Sequence, residues 1–222
     1  ADIGAYYYGY EENQNSNNLV SEPNYSLSFD GIDDYVFMDF LSDDVDNSSV
    51  TLMGWFKSTS NGLPDIYYEG IMGFRDYPQS DGNFYATMNW TGYNTPTVSM
   101  YGGASVNIPL TPDDGTWYHI AIVRSSTTTK IYVNGAEAGT GTDSSNFAAK
   151  PIRIGMDYNG ANGFTGYIDE FRASNNNRYT GPFTAPTGIF QGDTNAKLLV
   201  HFDGSNGQTY TEDWSGFVSP AI

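Results

Sequence analysis

Between Gly115 and Thr142 the chain reads GTWYHIAIVRSSTTTKIYVNGAEAGTGT, and this stretch constrains the fold more than any other. Ile120, Ile122 and Arg124 alternate with His119, Ala121 and Val123, and Ile131 and Val133 alternate with Lys130, Tyr132 and Asn134. Side chains two apart share one face of an extended chain, so each run reads as a strand and the polar SSTTT between them as a hairpin turn. Asn134-Gly135 tolerates the positive φ of a tight turn, which starts a third strand at Ala136. The unit is a three-stranded antiparallel meander.

The same grammar runs along the rest of the chain. Short runs rich in Val, Ile, Tyr, Phe and Thr are separated by Gly, Pro, Asp and Asn, which predicts strands at 26–29, 34–40, 50–58, 69–75, 83–90, 97–101, 117–125, 129–134, 151–156, 164–172 and 197–202. No segment keeps a 3.6-residue period over ten residues. With Gly 25, Tyr 18 and Phe 13, composition agrees with turns and strands. The expectation is an all-β, two-sheet antiparallel sandwich, and 222 residues fit one such domain.

Nine basic residues stand against 26 acidic ones, a formal charge of −17. Such a surface repels nucleic-acid backbones and anionic bilayers, which removes both from the expected partners. The chain has no Cys, so neither disulfides nor thiolate metal sites enter the reading. No apolar run of membrane-spanning length and no retained signal peptide is expected, and ADIGAYYYGY reads as the beginning of a mature or excised chain.

Five segments in order, SLSFDGIDDYV, VTLMGWFKSTS, the meander, PIRIGMD and FTGYIDEFRAS, resemble a laminin-G-like, concanavalin-A-like jelly-roll domain over about Ser26 to Ser174. The resemblance implies two antiparallel sheets of six or seven strands, a structural calcium and non-catalytic recognition of glycans or proteins. It also implies a calcium that ties the first strand to the last, which would join Asp30 to Asp169.

The residues argue in the same direction. Ile168 and Phe171 are large, apolar and three apart, so burying both requires a bulge or bend at Asp169-Glu170, and a bulge frees backbone carbonyls. A carbonyl beside the Asp169 carboxylate, with Asp30, Asp33, Asp34 and the carbonyl of Gly31 from FDGIDD, makes an oxygen set suited to calcium. The metal ligands read from the sequence are Asp30, Gly31, Asp33 and Asp169. The alternative is that Asp30 opens a turn with Gly31 while Asp169 pairs with Arg172 or Arg153.

Glycoside hydrolysis on this kind of fold needs two facing carboxylates. No Glu-x-Asp-x-Glu run exists, and of the seven Glu only Glu11 and Glu12 lie within four residues of each other. His119 and His201 sit inside strands without a Gly-x-Ser-x-Gly elbow in the chain. The chain therefore reads as a non-enzyme. Aromatic faces stack on sugar C–H groups while amides and carboxylates bond the hydroxyls. The loops that combine both place ligand contacts at Asp76, Tyr77, Asn89, Trp90, Tyr93, Tyr158 and Asn159.

Three segments are expected: a loop-like lead-in at 1–24, the jelly-roll core at 25–175, and an extension at 176–222 that completes the sandwich or packs on a neighbour. Phe-Asp-Gly closes an apolar run twice, at Phe29 and again at Phe202 in LLVHFDG. The extension resembles tails that follow such domains in phage structural proteins and bacterial surface proteins. That resemblance implies a virion-surface or extracellular module, a capsid decoration, tail or fibre protein that binds a glycan, a host surface receptor or neighbouring virion proteins. The other readings are a carbohydrate-binding module or adhesin domain of a large secreted protein and, third, a glycoside-active enzyme.

Overall fold

A computed structural model describes residues 6–8, 25–38, 48–59, 68–74, 84–91, 95–101, 116–142, 151–156, 162–203 and 213–215. Regular structure in these residues is all strand. The first seven strands are β1 (Tyr6–Tyr8), β2 (Ser26–Asp30), β3 (Val36–Met38), β4 (Ser49–Ser58), β5 (Tyr68–Phe74), β6 (Phe84–Thr91) and β7 (Thr95–Tyr101). The next three form the meander: β8 (Tyr118–Ser125), β9 (Thr128–Val133) and β10 (Ala136–Thr142). The last are β11 (Ile152–Ile154), β12 (Thr165–Ser174) and β13 (Ala196–Val200). Each strand read from the sequence is present, and the meander has the expected antiparallel order. Tyr6–Tyr8, read as part of a loop-like lead-in, instead pairs antiparallel with Ser26–Ser28.

Two sheets form. One runs β1-β2-β12-β4-β8-β9-β10 with β13 also on β12, and the other runs β3-β11-β5-β6-β7. The main core lies between them. Leu27, Phe29, Leu52, Phe56, Ile120, Ile122, Ile131 and Phe171 from the first sheet meet Val36, Ile71, Met72, Ile152 and Ile154 from the second. Each such side chain contributes about 1.5–3 kcal/mol on burial.

The expected bulge is present. Ile168 pairs with Phe56, Asp169 with Trp55, and then Arg172 with Met53, so β12 carries one extra residue there. Glu170 takes φ +51, and both Ile168 and Phe171 are buried in the core. The bulge also divides one side of β12 in two. Thr165–Ile168 pairs with β2, and Phe171–Ser174 pairs with β13. The two Phe-Asp-Gly runs thus end strands that lie in line along a single edge of β12, and the Tyr25 N–H donates to Asp203 Oδ1 at 3.2 Å where they meet.

The outer face of the eight-stranded sheet is apolar as well, and residues 175–195 cross it as a strap. Tyr179 and Phe183 stack with ring centroids 3.4 Å apart. With Phe190 they cover Met53, Trp55, Ala121, Val123, Tyr132 and Leu199. Polar contacts fasten the strap at both ends. The Arg178 N–H donates to Thr51 Oγ1 at 3.0 Å, and Thr51 in turn donates to the Asn176 carbonyl at 2.7 Å. Asp193 takes an ion pair from buried Arg172 at 2.6 Å and another from Arg178 at 2.8 Å.

Candidate functional site

Asp30 ends β2, and Gly31 turns the chain at φ +80 toward Asp33 and Asp34. A Cβ on Gly31 would lie 2.2 Å from Thr165 Oγ1, so the turn sits against the start of β12 and glycine is required there. The Ile32 N–H donates to Asp30 Oδ1 at 2.8 Å, and the Asp30 N–H donates to Asp34 Oδ2 at 2.8 Å. One carboxylate oxygen from each of Asp30, Asp33 and Asp34 lies within 4.8 Å of the others. Asp34 is only 4% exposed. Burial, and then repulsion from Asp30 and Asp33, push its carboxyl up to about 6. Three crowded carboxylates, one of them desolvated, form an all-oxygen donor set that matches the preference of a hard divalent cation.

Asp169 does not join them. Asp30 faces Thr165 across the β2–β12 ladder, and Asp169 is four residues further along β12, roughly 13 Å at strand rise. Asp34 is in the acidic turn in its place. Asp30 does open a turn, as the alternative reading had it. Asp169 pairs with neither arginine, because Arg172 is committed to Asp193, Ser174 and the Gln191 carbonyl, and Arg153 lies in the other sheet.

Asp169 belongs to a second acidic group, built by the bulge. The Glu170 N–H donates to Asp169 Oδ1 at 2.8 Å. Glu170 Oε2 accepts the Phe190 N–H at 2.6 Å, and its two oxygens lie 2.9 and 3.0 Å from His201 Nδ1. His201 in turn packs on Trp214 at 5.7 Å. Burial, followed by the charges of Glu170 and Asp203, pushes the Asp169 carboxyl up to about 9. A left-handed residue costs about 1–2 kcal/mol. At Glu170 the bonds to Phe190 and His201 offset it, which ties the bulge to both strap and β13. The Phe190 N–H and His201 hold this group between the strap and the end of β13.

Of the ligand contacts read from the sequence, Asn89 and Trp90 fall on the backbone of β6, opposite Thr97 and Pro96 of β7. Their side chains, and Asp76, Tyr77, Tyr93, Tyr158 and Asn159, lie outside the described residues. Trp55 packs beneath the strap on the outer face of its sheet. His119 is fully buried there, while His201 keeps some exposure beside Glu170.

Residues 30–179 match the family model Laminin G 3, described as the concanavalin A-like lectin/glucanases superfamily. No curated protein matches the sequence. Among solved structures, a candidate carbohydrate-binding protein from Bacteroides ovatus is similar at TM-score 0.63 and 19% identity, covering 86% of this chain and 55% of its own length. The native heptameric SAP-like pentraxin of Limulus polyphemus is similar at TM-score 0.54 and 18% identity, over 70% of this chain and 77% of that one. The binding domain of Paraclostridial Mosquitocidal Protein 1 gives TM-score 0.54 at 12% identity, over 80% of this chain and 44% of that one. At these identities the likeness is one of fold.

Proposed function

The chain belongs to the concanavalin A-like lectin/glucanases superfamily, and from that premise we propose that it is a non-catalytic recognition module that binds glycan. The family match is the observation that carries this reading. The description of the Bacteroides protein as a carbohydrate-binding candidate supports it. Binding falls to one end of the rigid sandwich, to Asn89 and Trp90 at the end of β6 and to the segments that carry Asp76, Tyr77, Tyr93, Tyr158 and Asn159. The module works on the outside of a virion or cell, where the acidic surface keeps it soluble in salt. Among the described residues no helix is long and apolar enough to cross a membrane.

A glycan array tests this on the wild type and on Trp90→Ala, with circular dichroism as the folding control. Trp90→Ala is expected to weaken binding by about 1–3 kcal/mol, the range of a central aromatic contact. Equal binding by both proteins removes the assigned site. Turnover of any arrayed glycan, lost on changing a carboxylate, puts an enzyme in place of the module.

Calcium in the acidic turn is the second part of the proposal. Asp30, Asp33 and Asp34 hold the ion, and the Gly31 carbonyl completes the set from the flexible tip of the turn. The ion supplies charge neutralisation between β2 and β3. Chelation is expected to lower the melting temperature, by the equivalent of about 2.7 kcal/mol where calcium stands at a hundred times its Kd. Asp34→Asn abolishes the response. Because Asp34 takes up its proton near pH 6, calcium affinity falls as pH drops below about 6. A melt indifferent to chelator sinks this assignment and leaves glycan binding standing.

A further inference from the structure

Arg153 lies on the outer face of the five-stranded sheet and has no acidic partner among the described residues. Its neighbours Ile152 and Ile154 are buried between the sheets, so the pleat turns Arg153 the other way. In register it faces Phe37 of β3 on one side and Gly73 of β5 on the other. Its guanidinium carbon lies 5.0 Å from the Phe37 ring centroid and 5.8 Å from that of Tyr35.

The other described arginines are engaged by oxygen. Arg172 and Arg178 share Asp193, and Arg124 donates to the Ser126 carbonyl at 2.9 Å. Arg153 stays partly exposed with rings as its contacts, and its Nε is sealed without an acceptor. With 26 acidic residues against 9 basic ones, a carboxylate partner is the easily available arrangement, yet none of the described carboxylates pairs with it. Stacking on aromatic rings fixes the plane of a guanidinium while leaving its terminal N–H fork free for a planar oxyanion.

We propose that the outer face around Tyr35, Phe37 and Arg153 is a subsite for a sugar carboxylate. The fork of Arg153, held over the rings of Tyr35 and Phe37, takes the carboxylate. A single carboxylate fits the charge balance better than a polyanion, because a chain of formal charge −17 repels each further negative group within a Debye length, about 8 Å at physiological salt. This subsite rests on the glycan-binding reading and adds to it a preference for uronic or sialic-type sugars.

The test is an array of matched pairs, oligosaccharides ending in glucuronate, galacturonate or N-acetylneuraminate against their carboxyl-reduced forms. It is read with wild type, Arg153→Met and Arg153→Lys, each checked by thermal melting. Wild type is expected to prefer at least one acidic member about tenfold to a hundredfold, the scale of a charge-assisted bidentate bond. Arg153→Met keeps an apolar stem on the rings and abolishes that preference without weakening the reduced member, and Arg153→Lys keeps only part of it. If Arg153→Met fails to fold, the Arg153→Lys comparison decides by the same criterion. Equal binding of acidic and reduced members, or a preference that survives in the variants, overturns the subsite and leaves glycan binding intact. Binding to no member overturns both.

Discussion

Gly135→Ala is expected to lift the strap and cost about 3–5 kcal/mol of folding stability. Gly135 sits at φ +81 in the turn between β9 and β10, where an L-residue costs about 1–2 kcal/mol. A Cβ there would stand 1.8 Å from the Phe183 carbonyl oxygen and 3.3 Å from the Ala185 nitrogen, both of them backbone atoms that no rotamer change moves aside. The contact is otherwise favourable, since the Phe183 N–H donates to the Gly135 carbonyl at 2.9 Å. Relief of the clash therefore requires the strap to withdraw, which uncovers the Tyr179–Phe183 stack and the Tyr132 ring beneath it. Loss of that burial supplies the rest of the expected cost, about 2–3 kcal/mol. Denaturant unfolding measures the total, and hydrogen exchange locates it: amides of 175–195 gain exchange while those of β5 and β11 keep their protection. A variant with wild-type stability and a protected strap contradicts the close approach of strap to turn.

The strap also shows where the sequence stops speaking. TGPFTAPTG, from Thr180 to Gly188, has the composition of a linker, and its Phe183 gives no hint of which face it covers. The signal lay elsewhere, in strands that are apolar on both faces. Met53, Ala121, Val123 and Tyr132 alternate with core residues of β4, β8 and β9 and are themselves buried, which marks a sheet covered on both sides. The bulge was legible because Ile168 and Phe171 cannot both be core residues in a regular pleat. Strand neighbours were legible too, since β2 does lie beside β12. Register was not. Nothing in SLSFDG or FTGYIDEF states that Asp30 faces Thr165 and not Asp169, and an offset of four residues moves Asp169 from the acidic turn to the β13 end of the sheet. Asp34 entered the turn through its adjacency to Asp33 and its bond from the Asp30 N–H, a local feature. Arg153 carried no sequence signal, because its position depends on which residues of β3 and β5 lie on either side of PIRIG.

His119→Phe is expected to raise stability by an amount that grows as pH falls, reaching about 3 kcal/mol more at pH 4 than at neutrality. His119 is 0% exposed, with ring centroids of Trp55, Phe183 and Phe190 at 5.3, 5.7 and 6.0 Å, and neither of its ring nitrogens has a hydrogen-bond partner. Asn134 also packs at this position, but its Oδ1 accepts the backbone N–H of His119 and leaves the ring alone. Burial alone pushes the imidazole from 6.5 down to about 4. The folded protein therefore holds a neutral ring while the unfolded chain takes up a proton below about 6.5. Stability from this residue is intact above 6.5 and is lost as pH falls from 6.5 to about 4. The interval between 6.5 and about 4, at 1.36 kcal/mol for each pH unit, gives the figure of about 3 kcal/mol. Asp169 works in the opposite sense. With its carboxyl pushed up to about 9, its burial costs stability increasingly as pH rises from 3.8, so the wild-type profile between 4 and 6.5 is a sum of opposed slopes. Subtracting the wild-type profile from that of His119→Phe removes the contributions of Asp169, Asp34 and every other group common to the two proteins. The measurement is urea unfolding of both from pH 7.5 to pH 4. A difference that stays constant across this range would mean that the ring is already protonated, or reached by water, beneath the strap.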